Sequence, residues 1–262
     1  MSLTTEEKED RFRFPQAGTV HFGRSISVVQ TDNGVLAAVQ LGRGRDCHVF
    51  VKREGGDSIG GFAEIACRGA HQPCLAASAK GIVAVVWNEA IEGGWEIRCV
   101  HVDPASCELS DVEVVHRSRM LCMPPAATFA GEALHVAWAG IVGNELRIHA
   151  VCRNASHTWS DATFVSPPGH DAYRPDMDAA GDNVFLTWDM YDKETYHVVV
   201  SRYSADQWAS VAVLSDPEER WLQPRIVAES EETAFLTWLV LKPVTDKLGI
   251  IDHWPFAMVG HV

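Results

Sequence analysis

Pro175-Asp-Met-Asp-Ala-Ala-Gly-Asp-Asn-Val-Phe-Leu-Thr-Trp188 is the stretch on which the fold is decided, because its frame returns three more times. A proline opens each copy (Pro73, Pro124, Pro175, Pro224) and an apolar run ending in tryptophan closes it (Trp87, Trp138, Trp188, Trp238). The tryptophans are 51, 50 and 50 residues apart, and the proline-to-tryptophan spacings are 14, 14, 13 and 14. A strand-rich period near 50 residues predicts a β-propeller with one blade per repeat. The runs at 81–87, 133–138, 183–188 and 233–238 are continuously apolar instead of alternating. Strands covered on both faces read that way, as inner strands between two neighbouring blades must. A β-sandwich would also bury strands, but it gives no reason for a single 50-residue repeat.

Laying out the repeats gives four strands each. The second places them at 72–77, 81–87, 95–102 and 111–116, and the third at 124–129, 133–138, 145–151 and 162–165. The fourth places them at 175–180, 183–188, 195–203 and 210–214, and the fifth opens with 224–228 and 233–238. A divergent first repeat has strands at 25–30, 35–40 and 47–52, with Gln40 aligned to the tryptophan position. The expectation is an all-β, five-bladed propeller of four-stranded antiparallel blades. Repeats near 18–66, 67–117, 118–168, 169–218 and 219–262 form a single domain over 1–262, behind a tail at 1–17. Segment 18–22 reads as an outer strand with no blade of its own, so the N-terminal segment is expected to close the ring, with 256–262 competing for that role. An open ring would expose sheet edges.

Composition narrows the partners. A formal charge of -13 and a pI near 5.3 disfavour nucleic acid and acidic membrane surfaces, both of which need a basic face. Seven cysteines form no C-x-x-C pair, and an odd count fits free thiols better than a disulfide framework. Residues 1–10 are polar and acidic, without the apolar core of a signal peptide. Together these predict a cytoplasmic location. No motif predicts a metal or another cofactor: H-E-x-x-H is absent, and Gly42-Arg-Gly-Arg45 and 55–61 read as turns. His48, Arg98, Arg147 and His197 share one strand position and read as a structural ladder.

The repeats resemble the sialidase-like (BNR-type) propeller class. The matching pattern is Pro-x-apolar-Ala, a valine-rich strand ending in Trp, and a later second Trp. That second tryptophan occurs in His157-Thr-Trp-Ser160 and Asp206-Gln-Trp-Ala209, with Cys107 at the corresponding place in the second repeat. The Asp-box pattern Ser-x-Asp-x-Gly-x-x-Trp is absent. The sialidase resemblance would imply three arginines, a tyrosine–glutamate pair and an aspartate; only Tyr173-Arg174-Pro175 resembles any part of that set. Five-bladed glycosidases, the other relatives, need three carboxylates around the channel, and three are not assignable from sequence. A packing pattern specifies no chemistry.

Residues common to every repeat serve the blade, so function is sought where the repeat breaks at the channel mouth. Starts of inner strands and ends of second strands share that rim. The residues there are Arg24, Gln72, Glu89, Tyr173, Arg174, Asp189, Trp221 and Gln223, a mix of hydrogen-bonding groups and aromatic faces that suits a glycan or another polar small molecule. A carbohydrate-binding, lectin-like role is the main expectation. A glycoside hydrolase is the alternative, its acids drawn from Asp171, Asp176, Asp178, Asp189 and Glu219. A protein-interaction scaffold, and with it a protein partner, is the third. Asp176 and Arg225, one residue after the proline in consecutive repeats, are expected to form an inter-blade ion pair. Asp178 is expected to be a hydrogen-bonded structural aspartate.

Overall fold

The computed structural model describes residues 25–41, 48–54, 63–66, 69–214, 219–245 and 251–261. Its strands form five separate antiparallel sheets in chain order. Blade 1 comprises β1 (Ser25–Thr31), β2 (Gly34–Leu41), β3 (His48–Glu54) and β4 (Ala63–Ala66). Blade 2 has β5 (Ala70–Ala77), β6 (Val83–Ile91), β7 (Gly94–Val102) and β8 (Glu113–Ser118). Blade 3 has β9 (Ala126–Ala130), β10 (Ala133–Val142), β11 (Glu145–Arg153) and β12 (Thr163–Phe164). Blade 4 has β13 (Asp171–Ala180), β14 (Asn183–Tyr191) and β15 (Tyr196–Ser204), with β16 (Gln207–Trp208) and β17 (Ala212–Val213) both paired to β15. Blade 5 has β18 (Arg220–Ala228), β19 (Ala234–Thr245) and β20 (Ile251–His261). The inner strands of all five line one central cavity. This is the expected five-bladed propeller. Segment 18–22 and Arg24 lie outside the described residues, and blade 5 shows three strands where the others show four or more. No helix among the described residues is long and apolar enough to cross a membrane.

The proline–tryptophan frame has a backbone cause. Proline cannot donate to a ladder, and in blade 2 the pairing jumps from His71↔Asn88 to Cys74↔Val86. Gln72 and Pro73 thus oppose the single residue Trp87, which is a β-bulge. The same jump puts Arg174-Pro175 opposite Trp188 and Gln223-Pro224 opposite Trp238. Blade 1 has no proline there, and its ladder runs unbroken from Ser25↔Gln40 to Thr31↔Gly34.

Each tryptophan packs into the junction with the preceding blade: Trp87 with Leu36 and Val49, Trp138 with Val86 and Ile97, Trp188 with Ala137 and Ile148, Trp238 with Phe185 and Val198. Trp87, Trp138 and Trp188 are fully buried and Trp238 nearly so. The next residue points the other way and latches the following blade. Gln40 Oε1 accepts the Gln72 N–H (2.9 Å), Asn88 Nδ2 donates to the Cys122 carbonyl (2.9 Å), and Asp189 Oδ1 accepts the Gln223 N–H (2.6 Å). Gln40 is therefore equivalent to Asn88 and Asp189, and Val39, opposite Ile26, takes the tryptophan position. The sequence alignment of the first repeat was off by one, because it had no bulge with which to register the strand.

A second correction concerns Cys107. Trp159 bridges to Arg153 and Trp208 pairs with Tyr203, while Leu109 bridges to Val102. Leu109 thus stands in for the second tryptophan. Cys107 instead supplies the left-handed turn residue (φ 61°) that His157 (63°) and Asp206 (61°) supply in the next blades. The ladder expected from sequence holds for three of its four members: His48, Arg147 and His197 stand opposite Leu41, Gly140 and Met190, two residues past Val39, Trp138 and Trp188, whereas Arg98 stands opposite Trp87 itself and Glu96 takes the matching place. Each is tied within its blade: His48 to Glu64 (2.5 Å), Arg98 to Glu96 (2.6 Å), Arg147 to Ser166 (3.2 Å) and His197 to Asp192 (2.8 Å).

Four junctions are sealed, and the face between blade 5 and blade 1 is not. Leu75, Ala127, Met177 and Ile226, which face the preceding blade, are buried, whereas Ile26 and Val28 on β1 are 58% and 56% exposed and Val227 on β18 is 60% exposed. Trp188→Ala, which empties the blade 3–4 junction, should cost about 3–5 kcal/mol in urea unfolding, whereas Val227→Ala should cost under about 0.5 kcal/mol. Equal losses at the two sites would mean that the tryptophans are not the wedges described.

Candidate active site

The five inner strands surround a cavity of about 950 Å³. Its wall is apolar at Pro73, Pro124, Pro125, Pro175 and Pro224, and polar at Gln72, Arg174, Asp176, Gln223 and Arg225. Gln72, Arg174 and Gln223 occupy one repeat position, immediately before the proline, and all three have left-handed backbones (φ 42°, 48° and 54°). Such a conformation is unusual for a non-glycine residue and more so before proline. Each instance costs on the order of 1–3 kcal/mol, and strain of this kind concentrates at functional sites. The bulge opposite the tryptophan imposes it and places the three side chains on the cavity wall.

Arg174 is fixed from behind. Its Nε donates to Asp189 Oδ2, and Asp189, with no exposed surface, takes the Gln223 N–H on its other oxygen. Burial pushes the Asp189 carboxyl up to about 6, against the opposing pull of the Arg174 guanidinium. Beside Arg174 on the rim of blade 4 stand three half-buried tyrosines. Tyr191 and Tyr196 lie 4.8 Å apart and Tyr173 and Tyr196 6.1 Å apart by ring centroid, and the Arg174 guanidinium is 5.9 Å from the Tyr173 ring.

Asp176 reaches the wall from the position after the proline. Its Oδ2 accepts the Ile226 N–H (2.9 Å), and Arg225 Nη1 lies 3.5 Å from Oδ1. Burial raises the Asp176 carboxyl above the usual carboxylate range. The expected Asp176–Arg225 ion pair is present, but loose. Cys74 shares this repeat position, and burial pushes its thiol up to about 11, so it stays protonated and is no nucleophile at neutral pH.

The remaining sequence candidates lie off the wall. Glu89 is buried, accepting from Trp87 Nε1 (2.9 Å) and paired with Arg98 (3.0 Å). Trp221 stacks on Trp238 (4.6 Å) and donates to Glu219 Oε2 (2.9 Å), so both belong to the packing of blade 5. Asp178 accepts the Ala228 N–H (2.9 Å) and Asp171 the Leu146 N–H (2.8 Å), each clamping a neighbouring strand. Of the five proposed acids, Asp176 alone lines the cavity, with Asp189 one layer behind. The prolines and Arg225 are wall residues that the sequence reading did not place there. Among the described residues no cluster of histidine, cysteine or carboxylate side chains could hold a metal ion.

No family model and no curated protein matches the sequence. Solved structures do match the fold. A thermostable family-43 glycoside hydrolase is 8% identical over 91% of this chain and 94% of its own, with a TM-score of 0.50. The endo-arabinase of Bacteroides thetaiotaomicron is 8% identical over 89% of this chain and 92% of its own, also at 0.50. A family-25 polysaccharide lyase, an ulvan lyase bound to a saccharide of glucuronate and sulfated rhamnose, is 8% identical at a TM-score of 0.55. That match covers 82% of this chain and 66% of the lyase. At these identities the likeness is one of fold. The likeness found is to propellers named as glycosidases and a lyase, and none of the three is named as a sialidase.

Asp189 has a pH signature. The folded state binds its proton more tightly than the unfolded chain, whose aspartates titrate near 3.8. The resulting stabilisation is complete below that pH and is lost as the pH rises through about 6. Asp189→Asn cannot ionise. From about pH 4 to about pH 7.5 the wild type should therefore lose on the order of 3 kcal/mol relative to the variant, measured by urea unfolding. A constant difference across that range would contradict the assigned burial.

Proposed function

We propose that the chain is a carbohydrate-active propeller that takes a glycan into its central cavity. The observation that carries this reading is the placement of Gln72, Arg174 and Gln223 at one strained position around one cavity. Amide groups donate to and accept from sugar hydroxyls and a guanidinium donates to them, while proline walls and the neighbouring tyrosines offer faces for sugar C–H groups. The named relatives in fold support a saccharide as the ligand class.

Cleavage is the second reading, and two observations favour it over binding alone. The three matched structures described above are named for bond-breaking enzymes, two glycosidases and a lyase. Asp176, with its carboxyl raised by burial, stands on the wall where a proton donor to a leaving oxygen is needed. Glycoside hydrolysis ordinarily uses two carboxyl groups about 5–10 Å apart. In this reading Asp176 is the acid.

A glycan array run beside a panel of chromogenic glycosides tests both. Wild type should retain at least one saccharide, and Gln72→Ala with Gln223→Ala should weaken it at least about tenfold, the scale of two lost hydrogen bonds. Turnover that falls at least about 100-fold in Asp176→Asn, the lower range for an acid catalyst, would establish cleavage. Silence of the wild type in both assays would sink the glycan reading altogether.

A further inference from the structure

The cavity carries a sign of charge opposite to that of the chain. The sequence has a formal net charge of -13, yet among the described residues the charged ones on the cavity wall are Arg174, Asp176 and Arg225. Two cations thus face one anion on the wall itself, Asp189 standing a layer behind Arg174, and the wall anion is poorly available. Asp176 already accepts the Ile226 N–H, and its contact with Arg225 is 3.5 Å, beyond the range of a good N–H···O bond. Arg225 is left 69% exposed.

Arg174 is arranged differently but to the same effect. It spends Nε on buried Asp189, and its side chain is still 43% exposed. Among the described residues no second carboxylate pairs with it. A guanidinium held by Nε keeps its two terminal amino groups for another partner, and that fork matches two oxygens of one anionic group. The arginines come from adjacent blades at neighbouring repeat positions, one before Pro175 and one after Pro224. The field of Arg225 also reaches Asp189, the group that holds Arg174.

Given the reading that a glycan occupies the cavity, we propose that its sugars are anionic, with a carboxylate or sulfate ester seated between Arg174 and Arg225. A neutral sugar would meet the two guanidinium edges that Asp189 and Asp176 leave uncontacted with hydroxyls only, whereas a carboxylate or sulfate ester would give both charge-assisted bonds. Gln72 and Gln223 then serve the neighbouring hydroxyls. Blades 4 and 5 read charge, and blade 2, through Gln72 beside Pro73 and Cys74, reads the uncharged part of the saccharide.

The test isolates charge at constant sugar. Oligogalacturonate and its methyl ester, and a sulfated galactan oligosaccharide with its desulfated form, are titrated calorimetrically into the whole chain. At least one acidic form should bind about tenfold or more tighter than its neutral twin, as expected for charge-assisted bonds. The pair that shows the preference tells a carboxylate from a sulfate ester. Arg225→Gln, at an exposed side chain, should remove most of the preference without changing the melting temperature, and Arg225→Lys should keep part of it. Arg174→Lys, which keeps the charge against Asp189 and loses the fork, should also narrow the preference. Equal binding of acidic and neutral twins would overturn the proposal and leave the glycan reading standing. A preference that survives both Arg225→Gln and Arg174→Lys would overturn the assignment to these arginines. No binding of any of the four saccharides would overturn the proposal, while the glycan reading stands or falls on the array and the glycoside panel.

Discussion

A proline set opposite a tryptophan in the innermost hairpin is the constraint from which the rest of the molecule follows. The proline offers no N–H to the ladder, so the strand takes up an extra residue and bulges. In blades 2, 4 and 5 the residue before the proline takes a left-handed backbone, and in blades 2 and 5 its N–H turns to the preceding blade; in blade 3 Met123 keeps its N–H on Ala139 of its own sheet. A released N–H in a buried place needs an acceptor. Gln40 and Asp189 supply it from the preceding blade at the residues that reach Gln72 and Gln223. One local irregularity thus makes the hairpin, bonds blade to blade and turns a polar side chain to the axis.

The position after the proline completes this joint. Ser27 Oγ accepts the Leu75 N–H, and Asp176 accepts the Ile226 N–H, at equivalent places in the first and fourth junctions. The tryptophan wedges behind them supply the apolar bulk. Polar bonds near the axis and indoles farther out divide the labour: the first fix register between sheets, the second fill the space between them. Between blades 5 and 1, where the described residues supply neither, Ile26, Val28 and Val227 stand exposed.

Much of this was legible because it recurs. The proline–tryptophan period, the strand positions of blades 2 to 4 and the division of site from scaffold all follow from which residues repeat and which do not. Backbone conformation was not legible. Gln40 and Cys107 were both misaligned by side-chain type, since a bulge and a left-handed turn residue leave no composition signal when glycine is not used. Polar residues beside aromatic ones were also ambiguous. Glu89 with Trp87 and Glu219 with Trp221 look like a ligand-binding mix in sequence, and each proves to be an indole N–H meeting its acceptor two residues away. Glu113 and Trp159 make the same bond 46 residues apart across a blade junction, where no spacing could have revealed it.

Asp189 shows how a scaffold position becomes part of a site. Its equivalent Gln40 serves the Gln72 N–H with a neutral amide oxygen, so the latch alone requires no charge. Asp189 has the same duty to Gln223 and adds a second donor, the Nε of Arg174. Only a carboxylate accepts from both while neutralising the cation, and it does so against a burial cost large enough to raise its own titration to about 6. A charge carried at that expense is hard to explain by packing, since glutamine at Gln40 shows that the joint forms without it. It is explained if the fourth blade must hold a guanidinium steady at the cavity wall, with its outer edge left for whatever the cavity receives.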